Sequence, residues 1–325
     1  MPACRHPRLL ADVGGTHVRF ARQAAPEAPL HAMASLRCAE YPGLLEAAQH
    51  YLAGQPGEPA PRCVAIGIAT AVTGDRVRMT NHHWSFSIAA LQAALGAERL
   101  LVLNDFSALA LALPALPAER RRQVGGGEAV AGAPLGLIGP GTGLGVSGLL
   151  PAGPDGAVRV PIGGEGGHVT LAASNDHEAA VLHVLQRRFG HASAERALSG
   201  PGLENLYQAI GQVAGKSLAP RSAAEITRDG MTGAHRPCTQ ALEMFCSLLG
   251  NVAGNVALTL GARGGLYIGG GIVPRLGEWF DRSRFRERFE AKGRFRAYLQ
   301  AIPTYVVLAA DEAALLGAGR ALDAG

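Results

Sequence analysis

The sequence is short of the features that mark several common protein classes. Aromatic residues make up only 5% of 325 positions and the formal net charge is +4, too little basic and stacking surface for a dedicated nucleic-acid binder. Cysteine is sparse: Cys4, Cys38, Cys63, Cys238 and Cys246 are odd in number, form no CxxC pair and have no ligand spacing with histidine. That pattern offers no zinc site or disulfide framework and suits a reduced, cytoplasmic setting. The opening MPACRHPRLL lacks the apolar core of a signal peptide, so export is not expected. One uncharged run, residues 244–262, approaches the length of a bilayer span, but two asparagines, a serine, a threonine and three glycines mark it as a buried helix of a soluble protein. The charge-dense stretches ERRR and DRSRFRERF alternate sign or sit beside proline and glycine, and read as solvated faces. Neither a nucleic-acid nor a membrane partner is expected.

What the chain does have is apolar content, 48%, and length enough for two domains. It also has 44 glycines, nearly twice the usual share of about 7%, gathered in clusters. RLLADVGG, VRFARQ and LHAMASLR read as three strands, the first two joined by a glycine turn. YPGLLEAAQHYLAG follows as a helix with Leu44, Ala47, Ala48 and Tyr51 on one stripe. RCVAIGIAT is a buried strand, SFSIAALQAALG a capped helix, RLLVLN a strand and DFSALALALPAL a helix. The order β-β-β-α-β-α-β-α predicts a mixed sheet with helices on its faces, and a composition shift at AERRRQVGGGEAVAGAP predicts a domain boundary. Beyond it LGLIG, the turn PGTG and LGVSGLL repeat the hairpin theme. NDHEAAVLHVLQRRFG is the clearest helix, capped by Asn175 with Glu178 three residues on and ended by Gly190.

Two motifs fail their context. GLGVSG matches a dinucleotide-binding glycine pattern, but LLPAGPDG follows where a helix should open. GQVAGKS ends like a phosphate-binding loop, yet the position that needs the first glycine holds Ile210 and a helical segment precedes it.

The stretch ADVGGTHVRF has a clear chemical sense. A turn at Gly14 and Gly15 lets main-chain amides approach an anion, and the Thr16 hydroxyl adds a donor, forming a nest for phosphate oxygens with Ala11 and Val13 at its flank. Asp12 would hold Mg²⁺, directly or through water. Arg19 would position phosphate or brace the turn. GPGTGLG offers a second bare turn at Gly141, Thr142 and Gly143, and GGLYIGGGIVPR a third at Gly269 and Gly270, where close backbone approach admits an adenine ring or ribose.

In this order the three segments resemble the phosphate-1, phosphate-2 and adenosine segments of the sugar kinase, Hsp70 and actin superfamily. MTNHHWSFSI, LNDFSALA, EGGHVTLA, AERALSGPGLENLY and YIGGGIVPR narrow the resemblance to the bacterial ATP-dependent glucokinase family, from about residue 9 to about 320. The resemblance implies an α/β fold of two ribonuclease H-like (actin-like ATPase) domains with mixed sheets and the active site in the interdomain cleft. A small domain of residues 1–115 plus 306–325 and a large one of 116–305 are expected. It also implies ATP and Mg²⁺, transfer of the γ-phosphoryl to the 6-hydroxyl of glucose, and a homodimer. Asp105 is then the general base and, with Asn104, Glu165, His168 and Glu195, a sugar ligand; carboxylates accept from paired hydroxyls while neutral imidazole both donates and accepts. Asp105 also stands where a helix N-cap would.

His17 departs from the asparagine usual after GGT, and Asp311, Glu312 and two alanines stand where NPG is common. The final helix, DEAALLGAG, is expected to return to the first domain. A kinase of another hexose shares most of this pattern. The zinc-bearing sugar kinases and repressors do not, since VTLAASNDHEA directly after EGGH holds no cysteine, and an actin-type scaffold would use the phosphate turns without Asp105 or EGGH.

Overall fold

The computed structural model describes residues 4, 6–80, 82–153, 156 and 158–323. Asn81 of the MTNHHWSFSI motif lies outside them. The chain forms two compact units, residues 1–117, 149–164 and 309–325 in the first and 118–148 and 165–308 in the second. The composition shift after residue 115 does not signal one feature of this division: Leu149–Gly164 groups with the first unit.

Unit 1 is built on a five-stranded sheet of β1 (Arg8–Val13), β2 (His17–Gln23), β3 (His31–Arg37), β4 (Cys63–Ile68) and β7 (Arg99–Asn104), in the order β3-β2-β1-β4-β7. β1, β2 and β3 pair antiparallel, whereas β4 runs parallel to both β1 and β7. β1 and β4 are buried at every position, as befits strands covered on both faces. Helix α1 (Leu44–Ala53) buries the stripe Leu44, Ala47, Ala48 and Tyr51. A small hairpin, β5 (Arg76–Arg78) and β6 (Ser85–Ser87), precedes α2 (Ile88–Leu95); its three-residue strands are too short to show periodicity in sequence. Leu9, Ala11 and Val13 pack into one core. Leu10, on the opposite face, packs with Ala108 of α3 (Asp105–Ala112) and Leu315 and Ala318 of α12 (Ala310–Ala321). The final helix thus belongs to the first unit.

Unit 2 carries strands of a six-stranded sheet ordered β11-β10-β9-β12-β13-β8. Its members are β8 (Arg121–Val124), β9 (Leu135–Pro140), β10 (Leu144–Ala152), β11 (Val158–Pro161), β12 (Leu266–Ile268) and β13 (Thr304–Val307), the end of β10 and all of β11 grouping with unit 1. β9, β12 and β13 are parallel and β8 antiparallel to β13. All of GLGVSG but its first glycine falls inside β10. Helices α4 (Asp176–Phe189), α5 (Gly200–Val213), α6 (Ala223–Thr232) and α7 (Arg236–Leu260) are followed, after β12, by α8 (Val273–Leu276), α9 (Glu278–Asp281), α10 (Phe285–Glu290) and α11 (Arg296–Gln300). The long uncharged run is the core of α7, and 78% of its most apolar stretch is buried inside the protein. Gly250 and Gly254 let α7 meet the carbonyl oxygens of Phe285 and Phe289 on α10, approaches that a Cβ would block.

Two expectations are corrected. DRSRFRERF is not a solvated face throughout: Arg288 is 7% exposed and donates to buried Glu178 (3.0 Å), because α10 packs with this side against α7. Glu178 also accepts from Ser174 N (2.8 Å), so it reinforces the α4 start that Asn175 caps. The scattered cysteines predict no close pair, but Cys4 and Cys63, 59 residues apart in sequence, lie side by side with Cα atoms 6.5 Å apart. Buried Arg8 draws the segment in, its Nε donating to Cys4 O (3.1 Å) and its Nη1 to Gly319 O (3.2 Å) of α12. Cys38, Cys238 and Cys246 are free and buried.

Candidate active site

In unit 1 the parallel register places Asp12 beside Gly67 and Gly67 beside Leu103, with Val13, Ile68 and Asn104 one step on. These are the carboxyl ends of parallel strands, where α/β folds collect ligands. Gly14, Gly15 and Thr16 form the β1–β2 turn, closed by Gly14 N donating to His17 O (2.9 Å) and held by Cys38 N donating to Thr16 O (2.9 Å). The amides of Gly15 and Thr16 have no acceptor among the described residues. Thr16 and His17 are exposed. Ala11 and Val13 sit in the core at 1% and 0% exposure, so they support the turn from below rather than face a ligand.

Asn104 is the N-cap of α3: its Oδ1 accepts from Phe106 N (2.9 Å) and Ser107 N (3.2 Å), which leaves its Nδ2 to donate elsewhere. Asp105 is therefore the first helical residue rather than the cap, and its Oδ1 accepts from Phe106 N (2.9 Å). Gly67 permits this: a Cβ there would come within 3.2 Å of Ala108 Cβ and 3.6 Å of Asp105 Cα. Asp12 is 9% exposed. Burial, with the charges of Asp105 and Asp311 adding and Arg19 opposing, pushes its carboxyl up to about 7. The guanidinium of Arg19 is divided, Nη1 donating to Asp12 Oδ2 (3.1 Å) and Nη2 lying 3.0 Å from Asp311 Oδ2. Asp311, read in the sequence only as a departure, thus joins this corner, where three carboxylates stand near one arginine.

In unit 2 the turn Gly141–Gly143 joins β9 to β10, with Gly141 N donating to Gly143 O (2.8 Å). Three elements converge on it. Gly200 N, at the amino end of α5, donates to Gly141 O (2.8 Å), and Ser199 caps that helix at Gly202 N (3.0 Å). Gly270, with φ +74°, lies so close to Pro140 O that a Cβ would collide with it, and Gly269 N donates to Ile138 O (2.8 Å). Glu195 Oε2 accepts from Leu144 N (2.9 Å) and would lie 2.5 Å from a Cβ at Gly143.

The EGGH segment is fixed to the same place, because Glu195 N donates to Gly167 O (2.9 Å) and a Cβ at Gly167 would strike Leu144 O. Glu165 and His168 are about half exposed, with His168 Nε2 3.9 Å from Glu165 Oε2. Gly141, Thr142, Gly143, Glu165, His168, Glu195, Gly269 and Gly270 therefore share one region of unit 2. Ser199 and Gly200 were not singled out in sequence, although a serine two residues before a proline at a helix start is a readable signal.

No cluster of three or more histidine, cysteine, aspartate or glutamate side chains with metal-binding geometry occurs among the described residues. A hard cation at Asp12 would therefore take one carboxylate and complete its shell with phosphate oxygens and water, which suits Mg²⁺ better than Ca²⁺ or zinc. The surplus negative charge around Arg19 fits such an ion.

The glucokinase family profile matches residues 9–324. The chain belongs to the glucokinase family. A glucokinase of Aromatoleum aromaticum is 58% identical over 318 residues, covering 98% of this chain and 95% of that protein. A glucokinase of Chromobacterium violaceum is 53% identical, covering 94% and 86%. Among solved structures, a glucokinase from an Antarctic psychrotroph aligns with TM-score 0.87 and 35% identity over 98% of this chain and 99% of that one. A ROK family glucokinase from Streptomyces griseus, in complex with glucose and AMPPNP, aligns with TM-score 0.66 and 16% identity over 98% and 100%, a likeness of fold alone. The glucokinase chain described here has the mixed α/β, actin-like ATPase fold of these kinases.

Proposed function

We infer that this chain is an ATP-dependent hexose kinase, a glucokinase that transfers the γ-phosphoryl of ATP to the 6-hydroxyl of glucose. The observation that carries the reading is the shared corner of Asp12 and Asp105: the carboxylate of the first phosphate turn and the first residue of α3 lie at the ends of β1 and β7, with only β4 between them, close enough for the charge of Asp105 to raise the pKa of Asp12. A base and a phosphate cradle so placed are what in-line phosphoryl transfer requires of a protein.

In this reading the unbonded amides of Gly15 and Thr16 and the turn at Gly141–Gly143 hold the phosphates, and Gly269 and Gly270 border the adenosine. Asp105 accepts the proton of the 6-hydroxyl. Asn104 donates to a sugar hydroxyl through its Nδ2, and Glu165, His168 and Glu195 bind the remaining hydroxyls. Mg²⁺ at Asp12 would neutralise charge developing on the transferring group. Arg19 holds Asp12 in place. Action in the cytoplasm and assembly as a homodimer follow from the family reading.

A coupled ADP-release assay over glucose, mannose, glucosamine and fructose with ATP and Mg²⁺ tests the proposal. Glucose is expected to give the highest kcat/KM; a higher value for another hexose reassigns the substrate, and ATP binding without turnover reassigns the chain as a scaffold. Asp105→Asn is expected to lower kcat by about 10²–10⁴ while nucleotide binding persists. Near-normal turnover in that variant would remove Asp105 as the base.

A further inference from the structure

Away from the glycine turns, unit 2 has a second concavity of about 800 Å³, bounded by α4, α5 and the loop that follows α5. The volume lies within the about 300–1,000 Å³ typical of small-molecule sites. Gln208 and Gln212 stand four residues apart on α5 and line it together with Asn205, Lys216 and Ser217. The loop doubles back along the helix because Gly215 takes φ +67° and because bare Gly211 leaves space for Leu218, whose Cγ would be 2.6 Å from a Cβ there. This loop is the AGKS stretch. It follows a helix, so its lysine has no phosphate-loop role, and the proposed kinase site does not use it.

The charges around the cavity are unbalanced. Arg188, Lys216 and Arg221 line it against the single carboxylate of Glu204, and Glu204 Oε1 already accepts from Ala223 N (2.9 Å). Arg221 is paired with Asp229, while Arg188 lies over the Phe189 ring (4.9 Å) and donates to the amide oxygen of Asn205 (3.3 Å), with no carboxylate partner among the described residues. Lys216 is one of two lysines in the chain; the other, Lys292, donates to oxygens of Asn251 and Asn255. The side chains of Gln208, Gln212, Lys216 and Ser217 have no partner among the described residues.

We propose that this pocket binds the phosphomonoester of a sugar or similar polyol, Lys216 and Arg188 holding the phosphate and Gln208, Gln212 and Ser217 the hydroxyls. Cations in excess of acids attract an anion, and free amides and a hydroxyl beside them match a polyhydroxy body. The site is separate from the nucleotide turn. Gly200 touches that turn, whereas Gln208 and Gln212 lie eight and twelve residues further along α5, about 12–18 Å at 1.5 Å per residue.

Ribose 5-phosphate and inorganic phosphate, titrated calorimetrically into the full chain with glucose and ADP held saturating, test the proposal with the kinase site filled. One saturable event is expected, tighter for the sugar ester than for phosphate. Lys216→Glu combined with Arg188→Glu should weaken it at least about tenfold, with glucose phosphorylation unchanged. Gln208→Ala with Gln212→Ala should erase the preference for the ester. Lys216→Ala alone serves if the double reversal fails to fold. No saturable binding below about 10 mM, equal binding by the lysine variants, or binding seen only when ADP is omitted would each overturn the proposal. Because binding is read directly, the result stands apart from whether the chain phosphorylates glucose.

Discussion

Asp12 holds a carboxyl whose ordinary value is 3.8 at about 7 in the folded chain, with burial the largest cause. Between those values the folded state keeps a proton that the unfolded state has released, so the contribution of Asp12 to folding stability is highest near and below pH 4, falls as pH rises toward 7, and levels off above it. The melting temperature of the ligand-free protein is therefore expected to carry a descending component from pH 5 to pH 8 that Asp12→Asn lacks; parallel curves would refute the assignment.

The second partner of Arg19 gives another prediction. While Asp311 holds one arm of the guanidinium, Asp12 keeps one oxygen free for a cation; without it, both arms can close on Asp12 in the bidentate geometry arginine favours. Asp311→Ala is expected to raise the Mg²⁺ concentration for half-maximal rate about three- to tenfold with the KM for glucose unchanged. Mn²⁺ binding followed by relaxation should weaken in parallel. The β1–β2 turn at Gly14 and Gly15 with Asp12 before it was legible because an acid and two glycines between apolar runs mark a strand end and a tight turn. Asp311 was not, because its partner lies at the other end of the chain.

At the scale of elements, the contact between α3 and α12 decides where Asp105 sits. Gly317 makes it possible: a Cβ there would fall on the carbonyl oxygen of Ala108. Alanine in place of an unconstrained helical glycine stabilises by about 1 kcal/mol, whereas overpacking at a tight contact costs about 1–3 kcal/mol. The sign thus distinguishes the two cases. Gly317→Ala is expected to lower the urea midpoint and, by moving α3, the turnover number; an unchanged or raised midpoint would show that the helices are not in this contact.

Many other strands and helices were readable from apolar runs and capping residues, as at Asn175 and the stripe of α1. The β5–β6 hairpin was not, for want of length, nor was the buried pair of Arg288 and Glu178, which only the packing of α10 onto α7 brings together.

Over the whole molecule, unit 1 is assembled from three stretches of chain, the last being residues 309–325, while unit 2 draws on none of these termini. Arg8 makes the dependence acute. It is fully buried, and besides Cys4 O and Gln23 it relies on Gly319 O and the carboxylate of Asp323. Leu315, Ala318 and Leu322 cover Leu10, Ala21 and Ala65 on the same sheet face.

A chain ending at Leu308 loses that cover and leaves a buried cation short of its partners, a defect costing about 3–5 kcal/mol in comparable cases. Such a loss is a large part of a domain's typical net stability of about 5–15 kcal/mol. The core of unit 2 around α7, by contrast, contains no residue from the removed segment. Hydrogen exchange on the shortened chain should therefore show β1, β4 and α3 unprotected while α7 and β12 keep slow amides. Equal loss in both sets would mean that the two units do not have independent cores, and retained protection in β1 would mean that α12 is not what closes the first.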